Sequence, residues 1–224
     1  MGEAVEDLTE HLTDQEGTNQ EGAAKTANIT LKELIPSFWL SQILLFVPGI
    51  FLLWFLYLRN GYELSEFFSF TNTAGIWVSG TLAALAAIGL QWLAWKIFSL
   101  SAFDDGGINL LLLSLPMQTL IPMFAFGAFA EELLVRGVLQ TGIVNYFGPL
   151  IGVLLTSIIF SAMHVRYVKK PVLLGGAFLI SLFLGSLYFI TGTLWASVWA
   201  HFIYNCGAAI LAKKIYLPLI KGQD

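Results

Sequence analysis

Charge is scarce in this 224-residue sequence: Asp, Glu, Lys and Arg together make up only 12% of it, about half the ~25% of an ordinary soluble domain. Cysteine is nearly missing too, with Cys206 alone. A single thiol excludes an intramolecular disulfide and any cysteine-rich metal site, and its apolar setting reads as packing. There is no basic patch, which excludes a nucleic-acid surface. No basic segment precedes an apolar run at the N-terminus, so the start is not a secretory signal. The HExxH pattern of helical zinc hydrolases is absent as well. No internal repeat is evident.

What is abundant is apolar side chain: 57% of the residues, with a mean hydropathy of +0.75. That composition defines an all-α, polytopic transmembrane helix bundle. Runs long enough to cross a bilayer lie near 38–58, 75–95, 117–147, 149–165, 172–190 and 193–212. These predict six spans, or seven if 109–127 crosses by itself. The third run is too long for one straight crossing and predicts a tilt or kink, with Pro116 and Pro122 marking its start. Gly148–Pro149 is a stop-then-start signal, because proline is tolerated in a helix's first turn. Ser79, Ala83 and Ala87 put small residues on one helical face, which permits close helix packing. Five tryptophans (Trp39, Trp54, Trp77, Trp92, Trp95) sit near span ends as an aromatic belt, and Trp195 and Trp199 read as packing.

Residues 1–32 differ from the rest. They are polar and acidic and read as a disordered cytosolic tail, in which His11 and the nearby Asn28 are incidental. Residues 33–224 form the membrane-embedded domain. Orientation follows lysine and arginine bias. In the six-span arrangement Lys25, Lys32, Lys96, Arg166, Lys169, Lys170, Lys213, Lys214 and Lys221 share one side, and Arg59 stands alone on the other. This predicts a multi-pass cell-membrane protein with both termini in the cytoplasm.

Against that background the stretch FAEELLVRGVL (129–139) stands out. From Asn109 to His164 the only charged residues are Glu131, Glu132 and Arg136. Ionisable residues within spans are expensive, usually face the bundle interior and commonly mark a functional site. His164 and His201 lie in or at the ends of later spans, and each has a partner four residues away on the same helical face, Phe160 and Asn205 respectively. Glu131 is 17 residues before Gly148 and His164 is 16 after it. At ~1.5 Å per residue, an antiparallel pair hinged there brings carboxylate and imidazole to one level.

Each of these residues also has a purely structural reading. Glu132 and Arg136 can neutralise each other as an (i, i+4) ion pair, which leaves Glu131 needing another partner. His164 can anchor at the membrane interface beside Arg166 and Tyr167, and His201 with Asn205 can form an interhelical hydrogen-bond pair. Taken together, one carboxylate, two imidazoles and an amide at one depth point to a reaction site.

EELLVR (Glu131, Glu132, Arg136), FSAMH (Phe160, His164) and HFIYN (His201, Asn205) resemble, in order, the EExxxR, FxxxH and HxxxN motifs of the CPBP intramembrane proteases. This family is also called ABI or CAAX-protease self-immunity, and its best-known members are the type II CAAX prenyl endopeptidases. The resemblance covers about residues 115–212, a four-helix catalytic core. It implies peptide-bond hydrolysis in the membrane by glutamate-activated water. Glu131 is then the general base, His164 holds the water, and His201 and Asn205 stabilise the oxyanion, with Glu132, Arg136 and Phe160 supporting. The implied partners are the lipid bilayer and a membrane-associated peptide or protein.

A metal-free site needs no cofactor. The alternative is zinc held by Glu131, His164 and His201 with an open water position. Two rival functions remain: a proton-coupled transporter, since Glu/His chains also line ion pathways, and a non-proteolytic bacteriocin-immunity or scaffold protein. The short chain and the family's distribution point to a bacterium, where a prenylated substrate is not expected.

Overall fold

The structure is a computed structural model that describes residues 29–216 and 218. The acidic segment 1–28, with His11, Asn28 and Lys25, lies outside the described residues, as does Lys221.

Helix α1 (Leu31–Leu56) begins at Thr30, whose backbone N–H donates to the Glu33 carboxylate at 2.9 Å and so satisfies an orphan donor of the first turn. Two 3-10 turns, Leu58–Asn60 and Leu64–Glu66, lead to α2 (Thr73–Ile97), capped by the Asn72 side chain. A short α3 (Ile108–Ser114) precedes α4 (Met117–Phe147). Then come α5 (Pro149–Met163), α6 (Pro171–Thr191) and α7 (Leu194–Leu211). Among the described residues the fold is wholly helical.

Five helices are long and apolar enough to cross a membrane, so the chain is a multi-pass membrane protein. The expected span at 149–165 is the apolar helix α5. Its 15 residues rise only about 22 Å, short of a ~30 Å hydrocarbon core. It stops at Met163 because His164 leaves helical geometry (φ −82°, ψ 62°). The separate crossing at 109–127 does not form. Leu115 is extended (φ −67°, ψ 145°) ahead of Pro116, as the clash of a proline ring with the preceding residue requires. At the other end of α4, Gly148 takes φ 82°, ψ 169°, and Pro149 opens α5.

Contacts sort the connections into two ends. Arg166 pairs with Asp105 at 3.3 Å, Lys170 reaches Asp104 at 3.9 Å, and Lys213 Nζ donates to the Leu115 carbonyl. The 99–116 and 164–170 segments and the end of α7 therefore share one end. At the other, Asn145 donates to Tyr62 at 3.0 Å and Thr193 to the Ser69 carbonyl at 3.0 Å. The lysine-rich connections lie together, opposite Arg59.

Helices α2 and α7 approach closely along the side that carries Ala83 and Ala87 of the expected small-residue face, with the most buried stripe centred on Gly80, Ala84 and Ala87. A Cβ on Gly80 would stand 2.9 Å from the Ala196 carbonyl oxygen, a backbone atom that cannot swing aside. Gly80→Ala is therefore expected to cost about 1–3 kcal/mol, measured as a lowered unfolding midpoint in detergent. A shift under about 0.3 kcal/mol would show that the helices part freely. Trp199 lies edge-on to Trp77 with centroids 5.0 Å apart, and Trp195 stacks on Phe129 at 6.0 Å. Both are packed, as their sequence context suggested, and Cys206 packs beside Leu120 and Met123.

Helix α4 is the axis of the site. Its middle, Leu133–Gln140, is π-helical, a form that is rare, usually confined to a single turn and frequent at functional sites. Hydrogen bonds from its own side chains and from a neighbour hold it. Tyr57, just past the end of α1, donates to the Val138 carbonyl at 2.7 Å, Thr141 to the Arg136 carbonyl at 3.0 Å, and Gln140 to the Gly185 carbonyl of α6 at 2.8 Å.

Candidate active site

Glu131 and Glu132 end the α-helical part of α4, just before the π-helical turns. As adjacent helical residues they point about 100° apart, and their surroundings differ accordingly. Glu132 is fully buried, whereas the Glu131 side chain keeps 21% of its surface. Glu132 serves two partners: Oε2 lies 3.2 Å from Arg136 Nε, and Oε1 lies 2.9 Å from His201 Nδ1. The expected Glu132–Arg136 pair is present, then, but it is shared with α7. His201 bonds Glu132 rather than Asn205.

Arg136 is likewise fully buried. Its Nη2 donates to the Ser181 carbonyl of α6 at 3.4 Å, and its guanidinium lies 5.1 Å from the Phe160 ring centroid. The Phe160 ring in turn sits 4.8 Å from His164 and 6.3 Å from His201. Phe160 thus wedges the two imidazoles and the guanidinium apart, packing against the face of the cation.

Partners settle much of the tautomer question. His164 Nδ1 is 2.9 Å from the Phe160 carbonyl oxygen. A carbonyl only accepts, so Nδ1 carries hydrogen and a neutral ring keeps its lone pair on Nε2. His201 Nδ1 faces a carboxylate and donates to it, which turns Nε2 toward Glu131. The gap from His201 Nε2 to Glu131 Oε2 is 3.9 Å, too long for a hydrogen bond and the right width for a bridging water or a substrate oxygen. Asn205 is half-buried one turn along α7, and among the described residues its carboxamide has no hydrogen-bond partner.

Glu131, Glu132, Arg136, Phe160, His164 and His201 are therefore gathered, with Asn205 beside them. His164 joins through Phe160 and not by a direct bond to Glu131. Sequence reasoning missed Gln42 of α1, whose Nε2 donates to Glu131 Oε1 at 3.4 Å. The signal was a lone amide in an otherwise apolar span. It also missed Gln140. The Ser181 partner is a backbone carbonyl, which carries no sequence signal.

A zinc site built on Glu131, His164 and His201 needs three donors around one point. Among the described residues no group of three or more His, Cys, Asp or Glu side chains is close enough to hold a metal. The donor set does not fit that cage as arranged.

Fold and site together define a multi-pass helical membrane protein with a buried acid–histidine–arginine centre. Residues 113–207, under half of the chain, match the family described as type II CAAX prenyl endopeptidase, Rce1-like, which is what this core is similar to. The match contains every residue of the three motifs and leaves α1 and α2 outside. The chain is also similar to a protein of Bacillus subtilis (strain 168) named Uncharacterized protein YpbD: 37% identical over 134 residues, which are 58% of this chain and 65% of that protein. The match thus spans just under two thirds of that relative. No solved structure matches the chain.

Proposed function

We propose that the protein is an intramembrane endopeptidase in which Glu131 activates water. The observation that carries this reading is the pair of facing groups, Glu131 Oε2 and His201 Nε2, held 3.9 Å apart inside an apolar bundle. A water that donates one hydrogen to Glu131 and the other to the free Nε2 of His164 keeps its lone pair for attack on a peptide carbonyl. The charges favour the complementary role for His201. Two carboxylates and one guanidinium leave the cluster one negative charge in excess, and a second proton on His201 neutralises it, as a low-dielectric interior favours. Its Nε2–H then donates to the oxyanion alongside the Asn205 amide. Such donors contribute about 3 kcal/mol each in a water-poor site. Collapse of the intermediate passes the proton from Glu131 to the leaving amine, which closes the cycle.

The substrate is a membrane-associated peptide or protein. The family's description adds one class to test, a prenylated C-terminal peptide. We also place both termini in the cytoplasm, on the lysine-rich end where His164 lies. The test uses the full chain in liposomes with a farnesylated CAAX-terminal peptide and a panel of transmembrane peptides, products being read by mass spectrometry. Cleavage that survives a strong chelator is expected. Loss with chelator and recovery with zinc would overturn the metal-free steps, and proton flux without cleavage would overturn the peptidase reading.

A further inference from the structure

We propose that Gln42 is a positioning residue for the Glu131 carboxylate, which makes α1 part of the reaction centre although it lies outside the family match. The inference rests on the peptidase reading for what Glu131 does, but not for the contact itself. Gln42 is 6% exposed, while its neighbours Leu40, Ile43 and Leu44 are 59%, 47% and 63% exposed. It is the inward-turned residue of a lipid-facing stretch. Its amide divides the two oxygens of Glu131: Oε1 accepts from Gln42 Nε2 at 3.4 Å, and Oε2 is left facing His201 at 3.9 Å. An ionised carboxylate only accepts, so Glu131 dictates which end of the amide it meets.

One further observation shows that the fold gives something up for this contact. Gln42 Oε1 is buried with no hydrogen-bond partner, an uncommon and unfavourable state. Gly127, one turn before Glu131 on the same face of α4, packs beside the amide, at a distance where a Cβ would stand in ordinary contact, 3.7 Å from the Gln42 carboxamide. A glutamate on a single helix has several rotamers open to it. Holding one oxygen restricts it to the rotamer that presents the other to the reacting gap, where a displacement of about 1 Å can cost ~100-fold in rate.

The test compares wild type with Gln42→Met, which keeps bulk and apolar fit, and Gln42→Asn, which keeps the amide but loses the reach. All are full-length chains in liposomes. Two readouts are taken: kcat and KM on the farnesylated peptide, and the rate at which dicyclohexylcarbodiimide, a lipid-soluble reagent for neutral carboxyl groups, labels Glu131 at pH 7. Without the amide's bond Oε1 is no longer held and the carboxyl is free to turn toward the reagent, so both variants are expected to label Glu131 several-fold faster than wild type. They should also lose about 10–100-fold in kcat with KM within about twofold, the pattern of a lost transition-state contribution. A merely structural bond would lower the melting temperature and leave the labelling rate and kcat per folded molecule unchanged, which overturns the proposal. Labelling needs no substrate. If wild type cleaves nothing, the peptidase reading falls while the labelling still decides the role of Gln42.

Discussion

Glu131→Gln is expected to lower kcat by about 100–10,000-fold while leaving the melting temperature within about 2 °C of wild type. The amide is nearly isosteric with the carboxylate. Its oxygen can still accept from Gln42, which sits 3.4 Å away. With 21% of its surface open, the side chain also carries less of a desolvation burden than the fully enclosed Glu132. What it loses is the capacity to take a proton, and a positioned general base is worth ~100–10,000-fold. Single-turnover cleavage in liposomes, run beside thermal unfolding, measures both quantities. Residual activity within tenfold of wild type in a folded variant would show that Glu131 is not the base. The folded, inactive variant also serves as a trap, holding uncut membrane peptides for identification by mass spectrometry.

The second large effect concerns stability. Glu132, Arg136 and His201 form one buried charged set, the first two fully enclosed, with an ion-pair contact of 3.2 Å to Arg136 and a hydrogen bond of 2.9 Å to His201 joining them. Removing one partner strands the others in a medium that solvates them poorly. Arg136→Met is therefore expected to cost about 3–5 kcal/mol. Glu132→Gln should cost a comparable amount by leaving the guanidinium unpaired. The double variant, which removes both charges, should recover most of the loss and give a coupling of about 2 kcal/mol or more. Unfolding by detergent titration of the four species closes the cycle. Additive losses would mean that water already screens the pair and that the site is wetter than its burial indicates.

These two predictions separate the adjacent glutamates, which sequence spacing separates only through the local Glu132–Arg136 pair. Both read as acids in an apolar run. Neighbouring helices distinguish them: α7 delivers His201 to Glu132 from 69 residues away, and α1 delivers Gln42 to Glu131 from 89 residues away. The (i, i+4) spacing of Glu132 and Arg136 predicted their pairing because it is local. Nothing local reveals that a third partner shares it.

Other features divide along the same line. The break at Gly148–Pro149 and the long apolar α4 were legible, because turn chemistry and bilayer thickness act on short stretches of chain. The π-helical turns of Leu133–Gln140 were not. They are held by Tyr57, Thr141 and contacts to α6, and Leu-Leu-Val-Arg-Gly-Val-Leu-Gln read by itself is simply helical. The packing side of α2 was legible in Ala83 and Ala87, but the closest approach, the Ala196 carbonyl against Gly80, was not, because only the partner backbone selects it.

The sequence by itself determined that this is a helical membrane protein, where most of its helices run, and which few polar residues the membrane interior must accommodate. Apolar length and the desolvation cost of charge are properties of composition along the chain, so they can be read from it. Tertiary structure alone decided that His201 shares the Glu132–Arg136 pair, that Glu131 faces a gap, and that α1 contributes an amide to the centre. Those outcomes depend on how helices rotate and approach one another, through contacts between residues tens of positions apart that no local pattern records.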